Sequence, residues 1–90
     1  MVTMTVLYKE FPEEIHGEIN GVCQKVSDDT YRCVIDSWLP DHKQKAALWH
    51  ELAHVLLLHF DSPQPIEEIE AEADEFAYLM TGVSLHHDAE

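Results

Sequence analysis

The chain has 90 residues, 46% of them hydrophobic and 26% charged, with 5 basic against 18 acidic side chains and a formal charge of −13. Such a length makes one domain, residues 1–90, with a small core that a bound metal or a partner would help to stabilise. The charge argues against direct binding of nucleic acid or anionic membrane surfaces and no run approaches a membrane span; the acidity suits a basic protein partner, and equally suits plain solubility.

The opening segment alternates Val2, Met4, Val6 and Tyr8 with Thr3, Thr5 and Leu7, which is the period of a strand. It has neither the basic region nor the cleavage site of a secretory leader, so a cytoplasmic protein is expected. Pro12 interrupts the pattern, and residues 13–15 form a short turn. Residues 18–36 read as a hairpin. With Asp28 and Asp29 as its turn, Val22 lies opposite Ile35, Val26 opposite Tyr31 and Gln24 opposite Cys33. Val22, Val26, Tyr31, Cys33 and Ile35 then share one apolar face. This register puts Cys23 and Cys33 on opposite faces of the sheet and predicts no disulfide; a three-residue turn would bring them face to face. No Cys-x-x-Cys spacing exists, and two free thiols are expected.

The second half is helical. Pro40 ends the extended segment and Asp41 is placed to cap a helix, with Gln44 as its capping-box partner. That helix meets no breaker before about Phe60 and is apolar nearly all round between Ala46 and Leu58, as a central buried helix would be. Residues 61–65 form a loop. A second helix runs from about Ile66 to Met80, with Ile66, Ile69, Ala73, Phe76, Ala77 and Met80 on one stripe and Glu67, Glu68 and Glu75 outside it; Gly82 stops it. Trp38, Trp49 and Phe60 are expected in the core. The tail, residues 85–90, is expected to fray, and His86 and His87 could take up metal adventitiously.

The chemistry lies in His50-Glu51-Leu52-Ala53-His54. Residues four apart share a helical face, so both imidazoles can reach one cation from a rigid support. Glu51 is turned about 100° from His50, placed to act as a general base on water at the metal rather than to ligate it. The alternative is a pair of core histidines hydrogen-bonded without metal, in a metal-free interaction domain. A zinc site of this type needs a third protein ligand. On the second helix Glu70 lies nearest the centre of the apolar stripe and Glu72 is its rival. Asp74, one turn beyond Glu70, could accept the free ring N–H of a ligating histidine. His59, five residues past His54, should point well away from the pair and close the helix. Tyr31, Tyr78 and His86 are possible donors to a developing oxyanion. The expected architecture is α+β: a small, mainly antiparallel sheet of about three strands packed on the central His-Glu-x-x-His helix, with a C-terminal helix carrying the third ligand.

Four stretches together resemble a known family. They are Phe-Pro-Glu-Glu-Ile-His-Gly at 11–17, Cys-Val-Ile-Asp-Ser-Trp-Leu-Pro at 33–40, Trp-His-Glu-Leu-Ala-His-Val-Leu-Leu-Leu-His-Phe at 49–60 and Glu-Ile-Glu-Ala-Glu-Ala-Asp-Glu-Phe-Ala at 68–77. In this order and spacing they are similar to the ImmA/IrrE metallo-endopeptidases. The resemblance implies one Zn2+ held by His50, His54 and Glu70, Glu51 as the catalytic glutamate, and Asp74 as the supporting carboxylate of the wider gluzincin group. It also implies cleavage of helix-turn-helix repressors, in bacteria, phages and mobile elements, as a response to damage or stress. Such substrates are basic. The other reading is a regulatory module that keeps the fold and captures a basic repressor without cleaving it.

Overall fold

The computed structural model describes residues 1–85; the expected fraying of the tail and the roles considered for His86 and His87 fall mostly or wholly outside them. Three strands, β1 (Thr3–Lys9), β2 (Gly21–Ser27) and β3 (Thr30–Asp36), precede two helices, α1 (Asp41–Leu56) and α2 (Ile66–Thr81). Short 3₁₀ turns occupy Glu13–Ile15 and His59–Asp61. The sheet is mixed, in the order β1-β3-β2. β1 runs parallel to β3, from Thr3 opposite Thr30 to Lys9 opposite Asp36, while β2 and β3 form the expected antiparallel hairpin. β3 is central, and Tyr31, Cys33 and Ile35 on it are buried, so its inward face is the middle of the core. None of the helices among the described residues is long and apolar enough to cross a membrane.

The hairpin turn falls where expected, with Ser27 paired to Thr30, but the register beyond it differs. A bulge between Lys25 and Ser27 leaves Val26 without an opposite residue, and every pair further from the turn slips by one. Cys23 therefore faces Cys33, Gly21 faces Ile35 and Val22 faces Val34. The expected placement of the two cysteines on opposite faces is overturned. Val22 and Val26 are 49% and 52% exposed, and the inward side of β2 carries Gly21, Cys23 and Lys25 instead. Lys25 donates to Asp61 Oδ2, 3.1 Å away, in an exposed ion pair. Gly21 is small for a steric reason: a Cβ there would sit 3.0 Å from Ile35 Cδ1, 3.2 Å from the Val34 carbonyl oxygen and 3.4 Å from Glu51 Cγ.

α1 lies on the sheet through small residues. Ala46, Ala47 and Ala53 are buried, and Ile35, Leu39 and Ala47 form the central cluster with Val6 and Leu48 against it. The helix begins one residue earlier than a cap at Asp41 would allow. Pro40 holds the cap position without a side-chain bond, and Asp41 lies in the first turn. Gln44, expected to complete a capping box, instead donates its amide N–H to the Leu39 carbonyl at 2.7 Å, tying the entry loop to the helix. The other end stops at Leu56, so the predicted all-round burial to Leu58 fails: Leu56, Leu57 and Leu58 are 56%, 43% and 71% exposed. On α2 the buried stripe is Ile69, Ala73 and Ala77, narrower than predicted, and Gly82 ends the helix in the left-handed conformation. Trp49 and Phe60 are partly buried, against Phe76 and Tyr31 respectively. Trp38 is 52% exposed and stacks on His16 rather than entering the core.

Asp36, at the end of β3, is fully buried, and its Oδ1 accepts the backbone N–H groups of Phe11 and Trp38, both at 3.0 Å. It thereby ties the segment leaving β1 to the one entering α1. Asp36→Ala strands two backbone donors, and each buried donor left unpaired costs about 1–3 kcal/mol. Urea titration should show a loss of about 2 kcal/mol or more for Asp36→Ala, with Asp36→Asn, which keeps one carbonyl acceptor, losing less.

Candidate metal centre

α1 presents His50 and His54 one turn apart, and α2 packs against it with Ala73 and Ala77 fully buried. Small side chains let the helices approach closely enough for Glu70 to reach the imidazole pair. His50 Nε2 lies 3.2 Å from His54 Nε2 and 3.0 Å from Glu70 Oε1, and His54 Nε2 lies 3.4 Å from Glu70 Oε2. Bonds of about 2.0 Å to a tetrahedral ion put neighbouring ligand atoms about 3.3 Å apart, so these three donors fit one cation such as zinc. Among the described residues His50, His54 and Glu70 are the group of potential ligand atoms close enough to hold a metal ion.

The proton arrangement points the same way. Asp74 Oδ1 accepts from His50 Nδ1–H at 2.7 Å, and a neutral imidazole protonated there leaves its Nε2 lone pair free for a cation at the point where the three ligand atoms converge. Burial opposes charging of His50, but the Asp74 hydrogen bond and the charges of Glu51, Asp74 and Glu70 outweigh it and raise its pKa. For His54 burial dominates, with the His50 charge adding to it, and the pKa is lowered. Glu51 is 6% exposed and stands beside the pair without joining the ligand group. Burial first, then Glu70 and Asp74, push its pKa up to about 7 against the opposing charge of His50. These groups line an open cleft of about 950 Å³ whose other wall includes Gly21, Val22 and Cys23 of β2.

Glu72, the rival third ligand, faces elsewhere: its Oε1 accepts from His59 Nε2 at 2.8 Å. His59 itself departs from expectation. It is 5% exposed, lines the cleft, and places Nδ1 3.0 Å from Nδ1 of His54. A continued helix would have turned it away. Because α1 ends at Leu56 and Leu58 adopts a left-handed backbone (φ 59°), the chain doubles back and delivers His59 under His54. The early helix stop at a residue other than glycine carried no visible sequence signal. Of the oxyanion donors considered, Tyr31 is buried against Phe60 and Tyr78 is 54% exposed on α2; neither lines the cleft. His16 is occupied by the Phe11 carbonyl, and His42 is exposed at the start of α1.

A His-Glu-x-x-His helix backed by a small sheet, with an acid supplied from the following helix, defines a metallopeptidase-like class of domain. The chain belongs to the IrrE N-terminal-like domain family, Peptidase_M78, whose sequence profile matches residues 4–90. No curated protein and no solved structure matches the chain.

The slipped register leaves a thiol pair whose outer member, Cys23, lines the cleft. Both cysteines are free, and Cys33 Sγ–H donates to Cys23 Sγ at 2.7 Å. That hydrogen bond is the main cause lowering the Cys23 pKa; the same bond, with burial, raises that of Cys33. A thiolate is the reactive form, and Cys33 is 0% exposed. Iodoacetamide at neutral pH should therefore label Cys23 first and Cys33 only on unfolding, and Cys33→Ala should slow labelling of Cys23; peptide mass mapping reads both.

Proposed function

We propose that the chain is a zinc endopeptidase of the ImmA/IrrE type, acting in the cytoplasm on a basic protein, a helix-turn-helix transcriptional repressor. The observation that carries this reading is the convergence of His50 Nε2, His54 Nε2 and the Glu70 carboxylate within 3.0–3.4 Å of one another, beside buried Glu51. Membership of a peptidase family supports it. The two imidazoles and one carboxylate would hold the ion, and His50 is oriented by Asp74. When bound, the zinc supplies Lewis acidity, favouring deprotonation of water and negative charge on a carbonyl oxygen. Glu51 takes the proton from the attacking water and returns it to the departing amide nitrogen, so the peptide bond is replaced by a carboxylate and an amine. β2 is an edge strand flanking the cleft, and an extended substrate segment adds to it by main-chain hydrogen bonds. The formal charge of −13 favours encounter with a basic substrate.

The test uses chain purified without a histidine tag. Elemental analysis should find one zinc per chain, lost in His54→Ala. A helix-turn-helix repressor encoded beside it should be cut by the native chain. Glu51→Gln should keep the zinc and cut about 10²–10⁴-fold more slowly. Unchanged cleavage by Glu51→Gln overturns the role given to Glu51, and an intact repressor with zinc-loaded native chain overturns the substrate assignment.

A further inference from the structure

His59 and Glu72 lie outside the ligand set, yet they end a chain of hydrogen bonds whose directions are determined from Ser62 as far as His59 Nε2. The Glu72 carboxylate can only accept, so it receives Gln64 Nε2–H on Oε2 at 3.0 Å and His59 Nε2–H on Oε1 at 2.8 Å. Gln64 must then turn its Oε1 the other way, where Ser62 Oγ–H donates to it at 2.9 Å. The backbone N–H of Gln64 donates back to Ser62 Oγ at 3.1 Å, so the loop between the helices holds this acceptor in place. With its proton on Nε2, a neutral His59 bears a lone pair on Nδ1. That lone pair faces His54 Nδ1 at 3.0 Å, and two ring nitrogens at this distance require one proton between them.

With His54 neutral, two arrangements satisfy the count. In one, His54 carries the proton on Nδ1, donates it to His59, and leaves its Nε2 bare toward His50 and Glu70. In the other, His59 carries protons on both nitrogens and His54 bears its proton on Nε2, in the space where the three ligand atoms converge. A cation accepts only the first. We propose that His59 and Glu72 are positioning residues that hold His54 in the Nδ1–H tautomer and so ready its Nε2 to ligate a metal ion. Asp74 does the same for His50, so each ligating imidazole has its own acceptor, one a carboxylate and the other a histidine backed by a carboxylate. The side chain of His59 is 2% exposed and that of Glu72 46%, so the acceptor that touches the ligand is the one shielded from water.

The inference rests on the metal-site reading above, and the test separates the two. Long-range proton–nitrogen correlation spectra of the zinc-loaded native chain should show His54 protonated on Nδ1 and metal-bound through Nε2, with His59 protonated on Nε2 alone. Zinc affinity, measured by competition with a chelator, should fall about 10–100-fold in His59→Leu. His59→Gln, whose amide oxygen can accept from His54 Nδ1–H, should recover most of that loss. Glu72→Ala should lose several-fold and Glu72→Gln less. Zinc bound with His54 ligating through Nδ1, or with His59 doubly protonated, overturns the inference while leaving the metal site standing. So does a folded His59→Leu chain whose zinc affinity matches the native. A native chain that binds no zinc overturns both. If His59→Leu does not fold, the spectra of the native chain decide alone.

Discussion

Two imidazole nitrogens 3.2 Å apart, with a carboxylate oxygen 3.0 Å from one of them, make an arrangement that stands only if protons are kept where they belong. Lone pairs that face one another repel, and a proton inserted between them removes the capacity to ligate. The surrounding structure can be understood as a set of acceptors that draw protons to the far side of each ring. Asp74 serves His50 from the same helix that supplies Glu70, one turn away. His54 is served by His59, which requires the chain to leave α1 and double back immediately below it. Leu58 accordingly takes a left-handed backbone, a conformation that costs a non-glycine residue of order 1 kcal/mol and persists where surrounding contacts demand it.

Close approach between elements is the second condition, and it explains where the small residues are. Ala46, Ala47, Ala53, Ala73 and Ala77 are all essentially inaccessible to solvent, so both helices meet their neighbours through methyl groups. On the sheet side Gly21 plays the same part, since even one carbon there would press on Ile35, the Val34 carbonyl and Glu51. Bulky residues at these positions would move the imidazoles away from Glu70 or lift β2 off the cleft. The core of so short a chain is correspondingly thin, with Ile35, Leu39 and Ala47 at its centre.

The parts legible in the sequence are those set by short-range periodicity. His50 and His54 share a face because four residues nearly close a helical turn, and Glu70 and Asp74 share the side of α2 that meets α1 for the same reason. Strand and helix identities followed from alternation and from Pro40, Pro65 and Gly82 at the ends. What was not legible depended on events one residue long. A bulge at Val26 turned Cys23 inward against Cys33 although the turn itself was read correctly, because a slip of one exchanges the faces of a strand. The stop at Leu56 lay inside an unbroken apolar run, where periodicity could not register it. His59 and the true partner of Glu72 were missed as a direct result. Parallel pairing of β1 with β3 was equally invisible, since a lone strand pattern carries no information about direction.

The acidity of α2 has a further consequence. Glu68 and Glu72, and Glu70 and Asp74, are like charges four residues apart, and such pairs disfavour an isolated helix by about 0.2–0.5 kcal/mol each. Only Glu67 and Glu68 gain from the positive end of the helix dipole. Two of the remaining acids instead accept ring N–H groups from α1 and the turn that follows it, Asp74 from His50 and Glu72 from His59, while Glu70 faces the bare Nε2 atoms of His50 and His54. Two of the charges that weaken α2 as a helix therefore bind it to the imidazoles. A cation placed among His50, His54 and Glu70 would turn the third into an attraction as well. The second helix is then held by the site it completes, and stability and metal binding become two readings of one set of contacts.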